Sequence, residues 1–135
     1  MNAVDTNIII YGFDLRDPKK LASSRLLLQT MPQGVLVWQV ACEFVAVSQR
    51  LAAQGVVSYD PWAELRSLRT MWTPVLPKFS AFARAEQLRA RFSLSFWDSM
   101  LIAVCLESGV QRLYSEDFSA YQKIDSLEIV NPFLP

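Results

Sequence analysis

Acidic side chains carry the most chemical information in this 135-residue chain. Glu43 sits within the apolar stretch Val40-Ala41-Cys42-Glu43-Phe44-Val45, and Asp98 within Phe96-Trp97-Asp98-Ser99-Met100-Leu101. Acids rarely enter such surroundings without a partner, because burying an unpaired carboxylate is costly. No lysine or arginine lies within four residues of either, so a pair along one helix does not neutralise them. Asp5 and Asp117 lie just beyond the short apolar segments Ala3-Val4 and Leu113-Tyr114. The chain has no histidine, which excludes Ser-His-Asp and Cys-His catalysis, a histidine general base and any His-containing zinc site. Carboxylates, hydroxyls, amines or a bound ion are left to do the chemistry. If the four acids meet, each pair at about 5 Å repels by about 3 kcal/mol at an effective dielectric of about 20, and a divalent cation reverses that sign. All-oxygen donors favour Mg²⁺ or Mn²⁺ over zinc, with water completing the shell.

Whether the acids meet depends on the elements that carry them. Ala3-Val4 reads as a short buried strand that ends at Asp5 and leads through Ile8-Ile9-Ile10-Tyr11 into a helix start. Pro18 to Met31 has near-helical apolar spacing, and the unbroken run Val35-Leu36-Val37-Trp38 suits a strand covered on both faces. Val40, Phe44, Val47 and Leu51 then mark the helix that contains Glu43. Asp60-Pro61 signals the cap and first turn of a helix with Leu65, Leu68 and Trp72 on one face. The following Thr73-Pro74-Val75 is at most a short edge strand, since proline cannot donate to a ladder. Ser80 opens a helix through Ala81, Ala85, Leu88 and Phe92, and Ser95 opens another with Trp97, Leu101 and Val104 in register, closed by Gly109. Gln111 to Tyr114 and Leu127 to Val130 are the last strands, the latter stopped by Asn131-Pro132. This alternation predicts one domain over residues 1–135, a three-layer α/β/α sandwich with a mostly parallel central sheet. Right-handed crossovers place the carboxyl ends of parallel strands on one rim, which gathers Asp5, Glu43 and Asp117 there. Asp98, in the first turn of the Ser95 helix, starts near the same rim.

Capping accounts for some of these acids singly. Asp5 suits a helix cap, Asp98 stands three residues after Ser95 as in a capping box, and Asp117 suits a cap on a segment from Phe118 to Lys123. Glu43, inside a helix, gains little from the helix dipole. Caps do not explain why the acids meet. Together Val4-Asp5-Thr6-Asn7, Glu43, Ser95-Phe96-Trp97-Asp98-Ser99-Met100-Leu101-Ile102-Ala103 and Leu113-Tyr114-Ser115-Glu116-Asp117 resemble the PIN-domain nucleases, especially the VapC-like toxins of bacterial toxin–antitoxin pairs. The resemblance runs from Asp5 to the closing Ile129-Val130-Asn131-Pro132-Phe133. It implies that Asp5, Glu43 and Asp98 are catalytic metal ligands and Asp117 the more variable fourth acid, with Glu116 adjacent to it. It also matches Ser115 to the hydroxyl two residues before that acid, and Thr6 and Asn7 to the polar residues that brace the first one. The implied activity is Mg²⁺- or Mn²⁺-dependent hydrolysis of RNA phosphodiester bonds, by a homodimer inhibited by an antitoxin whose C-terminal segment wraps it. Two other readings compete. One is a metal- or RNA-binding regulatory module with the same fold that does not cut. The other is a haloacid-dehalogenase-like phosphatase, which asks for a second aspartate where this chain has Asn7.

Thirteen basic residues balance thirteen acidic ones, so a polyanion site must be a local patch. Arg16, Lys19, Lys20, Arg84, Arg89 and Arg91 are candidates for guiding a phosphate backbone, each equally readable as part of a solvated helix face. Cys42 and Cys105 read as small core residues, in keeping with a reducing compartment, and the spacing of Trp62 and Trp72 points inward as well. Met1-Asn2-Ala3-Val4-Asp5 lacks the basic start of a secretory leader, and no apolar run approaches the ~18 residues needed to span a bilayer. The expectation is a soluble cytoplasmic protein.

Overall fold

The computed structural model describes residues 1–118 and 121–135. Strand β1 (Asn2–Val4) runs into helix α1 (Thr6–Tyr11), then α2 (Pro18–Thr30), β2 (Val35–Val37) and α3 (Trp38–Ala53). Next come α4 (Pro61–Met71), β3 (Thr73–Val75), α5 (Ala81–Arg91) and α6 (Phe96–Glu107). The chain closes with β4 (Arg112–Tyr114), β5 (Lys123–Ile124) and β6 (Leu127–Val130). One sheet has the order β1-β4-β6-β5 and a second pairs β2 with β3, while a parallel bridge from Asn2 to Gly34 joins the two. The pairing is parallel throughout except between β5 and β6. The carboxyl ends of β3, β2, β1, β4 and β6 therefore share one rim, as the alternating pattern requires.

Local chemistry sets the boundaries. Asp17 and Asp60 accept from the backbone N–H groups of Lys20 and Trp62, each followed by a proline in the first turn, which starts α2 and α4. Ser95 accepts from the N–H of Asp98 and starts α6. At the other end of α6 Gly109 takes φ +77°, a left-handed position that glycine adopts without strain. Val4, Ile8, Ile9, Val37, Phe44, Leu101, Ile102, Leu113 and Leu127 fill the core. Helix α1 packs on α2 and α3, and α3 on α4, while α5 pairs with α6.

Several expectations need correction. Cys105 is buried but Cys42 is exposed, since it lies on the outer side of α3 beside the half-buried Glu43. Trp97 is 63% exposed, because α6 is apolar on nearly all faces and its periodicity does not reveal which face turns inward. Trp72 is in the core, whereas Trp62 is half exposed. In α2 the leucines are only partly covered and Ser24 is the fully buried residue, because α1 approaches closely at Gly12. Strand β5 was not foreseen: two residues long, it turns into β6 through Asp125 at φ +52°. The segment predicted to be capped by Asp117 contains no helix among the described residues; its residues 119–120 lie outside them. Among the described residues no helix is long and apolar enough to cross a membrane.

Candidate active site

At the carboxyl rim of the sheet a cleft of about 380 Å³ is lined by Asp5, Glu43, Asp98 and Asp117, together with Thr6, Asn7, Tyr11, Asp14 and Arg16. Four separate chain segments supply the four acids: the end of β1, the second turn of α3, the first turn of α6 and the loop after β4. Hydrogen bonds orient three of them, Asp5, Glu43 and Asp117. Asp5, buried, accepts from the N–H of Thr6 (2.7 Å) at Oδ1 and from the hydroxyl of Ser115 (2.8 Å) at Oδ2. Thr6 donates its own hydroxyl to Glu43 Oε2 at 2.8 Å. The Ser115 hydroxyl also accepts from the N–H of Asp117 (3.1 Å), and Asn7 Nδ2 donates to Asp117 Oδ2 (2.9 Å). A chain of bonds thus runs from Glu43 through Thr6, Asp5 and Ser115 to Asp117 and Asn7. Gln39 adds the link to the fourth element, donating to Glu43 Oε1 (2.9 Å) and to the carbonyl of Trp97 (3.1 Å), the residue before Asp98.

Electrostatics mark the same place. Burial is the largest influence on Asp5 and pushes its carboxyl up from 3.8 to about 6; the bonds from Ser115 and Thr6 oppose this, and the charges of Asp117 and Glu43 add to it. Asp117 is also raised, first by burial and then by the charges of Glu116, Asp98 and Glu43, with the Asn7 bond opposing. No ion pair to any of the four acids occurs among the described residues. The donor set is carboxylate and amide oxygen, with neither histidine nor thiolate, and Asn7 Oδ1 is buried without a partner. Among the described residues no three acids close into a ready-made cage. An all-oxygen donor set of this kind suits a hydrated Mg²⁺ or Mn²⁺, whose shell waters and substrate phosphate oxygens complete.

The cleft gathers every acid that the sequence singled out, and Thr6, Asn7 and Ser115 each bond to one or more of them. Glu116 faces elsewhere: it accepts from the Tyr11 hydroxyl (2.5 Å) and pairs with Lys20 (2.8 Å). Of the six basic candidates only Arg16 lines the cleft. Lys20 is engaged by Glu116, Arg91 and Arg84 reach Asp125 at 2.8 and 3.9 Å, Arg89 donates to the carbonyl of Leu94, and Lys19 is exposed. Sequence reasoning missed Gln39, Tyr11 and Asp14. The first was detectable as the residue one turn before Glu43.

These features define a parallel α/β protein with an acidic cleft at the carboxyl rim of its sheet. The PIN domain family matches residues 3–125, and the chain belongs to that family. No curated protein matches the sequence. Among solved structures, the chain resembles one from a toxin–antitoxin complex of Klebsiella pneumoniae, with 15% identity, TM-score 0.72 and 98% of each chain covered. It is similar also to the sarcin–ricin-loop-cleaving toxin VapC20 of Mycobacterium tuberculosis, with 18% identity, TM-score 0.69, and 95% of this chain and 99% of that one covered. A third likeness is to a chain of VapBC2 from Rickettsia felis bound to a promoter DNA fragment, at 12% identity and TM-score 0.64, covering 96% and 97% of the two chains. At these identities the shared property is the fold.

Proposed function

We propose that this chain is a metal-dependent endoribonuclease and the toxin of a type II toxin–antitoxin pair, its nuclease domain spanning residues 1–135. The observation that carries the reading is that Asp5, Glu43, Asp98 and Asp117 line one cleft, cross-braced by Thr6 and Ser115 and, among the described residues, paired with no cation. Membership of the PIN domain family and the likeness to an RNA-cleaving toxin support it. Asp5, Glu43, Asp98 and Asp117 would hold Mg²⁺ or Mn²⁺, which when bound supplies charge neutralisation at the phosphate and a more acidic water. Ser115 and Thr6 fix the faces that Asp5 and Glu43 present. Asp98 or Glu43 takes the proton of the water attacking phosphorus, while the bond from phosphorus to the leaving ribose oxygen breaks and that oxygen is reprotonated from solvent. Asp98 is the better suited of the two, because both oxygens of Glu43, like both oxygens of Asp5, already accept hydrogen bonds.

The exposed Trp38, Trp62, Phe79 and Trp97 support association with an antitoxin and with a second copy of the chain, in the cytoplasm where RNA is found. A phosphatase passing through an aspartyl phosphate at Asp5 is disfavoured, because Asn7 replaces the acid it needs and instead donates to Asp117. The test is cleavage of total cellular RNA by purified protein, with 5′ ends mapped. Chelator is expected to stop cleavage and Mn²⁺ to restore it, while Asp98→Asn and Glu43→Gln leave a folded protein that does not cut. Undiminished cleavage by Asp98→Asn would overturn the reading.

A further inference from the structure

The loop between α1 and α2 carries a tightly bonded ion pair at the edge of the acid cleft. Asp14 is 4% exposed, and every hydrogen bond to its carboxylate among the described residues comes from Arg16. The Arg16 N–H donates to Oδ1 (3.0 Å), Nε to both oxygens (2.9 and 3.1 Å) and Nη2 to Oδ2 (2.7 Å). Arg16 itself stays 61% exposed along its side chain and is the basic residue lining the acid cleft. Pairing Asp14 with Arg16 closes an Asx turn and holds the carboxyl below its usual range against the cost of burial, so part of the arrangement serves the loop itself. It is also an effective way to aim a guanidinium. The side edge of the fork is occupied by Asp14, which leaves Nη1 and the second N–H of Nη2 as an end edge with the geometry for two phosphate oxygens. An arginine already held in one conformation loses less freedom on binding.

We propose that Asp14 and Arg16 form a receptor for an RNA backbone phosphate at the edge of the acid cleft, Arg16 making the contact and Asp14 acting as its positioning residue. This rests on the ribonuclease reading and adds the point where the substrate docks. Lys20, the nearby alternative, is held by Glu116 at 2.8 Å and lies over the rings of Tyr11 and Phe133, so its charge is already engaged.

The experiment is fluorescence anisotropy with a short, labelled, mixed-sequence single-stranded RNA in magnesium, on the Asp98→Asn background so that the RNA survives. Arg16→Gln is expected to weaken binding about tenfold and to reduce the slope of log affinity against log salt by about 0.7, the loss of one single-strand phosphate contact. Arg66→Gln, on an exposed position of α4 away from the cleft, removes the same charge and is expected to change affinity less than about twofold. Asp14→Asn gives the sharper sign: removing a negative charge beside the RNA should tighten binding if Asp14 merely contributes to the field, and loosen it if Asp14 aims Arg16. Asparagine keeps an acceptor for the Arg16 N–H, so the turn survives, and circular dichroism checks this. Tighter binding by Asp14→Asn, or equal effects of Arg16→Gln and Arg66→Gln, overturns the proposal alone. A wild-type chain that neither cuts nor binds RNA removes the ribonuclease reading and this receptor together.

Discussion

Asp5 is the residue at which structure and chemistry meet most tightly, since burial raises its carboxyl to about 6 while two donors hold it in place. An acid whose folded value lies above its unfolded one favours the folded state at low pH, and that advantage fades as pH rises through about 4 to 6. The raised Asp117 acts in the same direction. Metal-free protein should therefore be about 1 kcal/mol more stable at pH 5 than at pH 7.5 from Asp5 alone, a difference that Mg²⁺ at pH 7.5 narrows. Thermal melts at the two pH values, with chelator and with magnesium, check this; equal shifts on adding magnesium at both would contradict it. Ser115→Ala removes a donor from Asp5 Oδ2 and an acceptor from the Asp117 N–H. It should weaken Mn²⁺ binding about 10- to 100-fold and move the acid limb of the pH–rate profile upward, whereas a purely structural defect would lower the whole profile without moving its midpoint.

Elements enter through two contacts that carry acids into register. Gly34 joins the β2–β3 pair to β1, and a Cβ there would lie 2.5 Å from the Trp72 ring and 2.9 Å from Met31, so the bulk of even alanine must displace an indole. Gly34→Ala should destabilise the protein by about 1 to 3 kcal/mol in chemical denaturation and shift α3, with Glu43, relative to Asp5. Ser95→Ala removes the hydroxyl that accepts from Asp98 N–H and should cost about 1 kcal/mol while loosening the first turn that presents Asp98. These elements also show what a sequence discloses. Strands such as Val35-Leu36-Val37 and caps such as Asp60-Pro61 are local signals, and the structure has β2 and α4 there. The meeting of the four acids is legible because topology puts on one rim both the strand ends followed by Asp5 and Asp117 and the helix starts that carry Glu43 and Asp98. The exposure of Trp97 and Cys42 depends on which neighbours cover an apolar helix, which periodicity does not show, and Asp14 goes unnoticed because its partner Arg16 looks like any solvated loop cation until burial is known. The two-residue β5 is too short for period to show and exists through its pairing with β6.

At the scale of the whole molecule, balanced charge leaves no general attraction for RNA, while aromatic side chains crowd one surface. Trp38 lines two adjacent apolar grooves, one floored by Ala41, Val45 and Leu65 and bordered by Trp62, the other bordered by Phe79, Phe82 and Trp97. If these grooves hold the second copy of the proposed dimer, replacing Phe79 and Trp97 together by serine should shift sedimentation toward the monomer with the circular dichroism unchanged, since both are already exposed; an unaltered sedimentation profile would contradict that contact. The cleft itself is best examined by diffraction from crystals grown in MnCl₂, with data collected at the manganese absorption edge. An anomalous peak among the carboxylates of Asp5, Glu43, Asp98 and Asp117 is the expected result. Manganese found only at surface sites away from these acids, in a protein that still cuts RNA, would contradict the account.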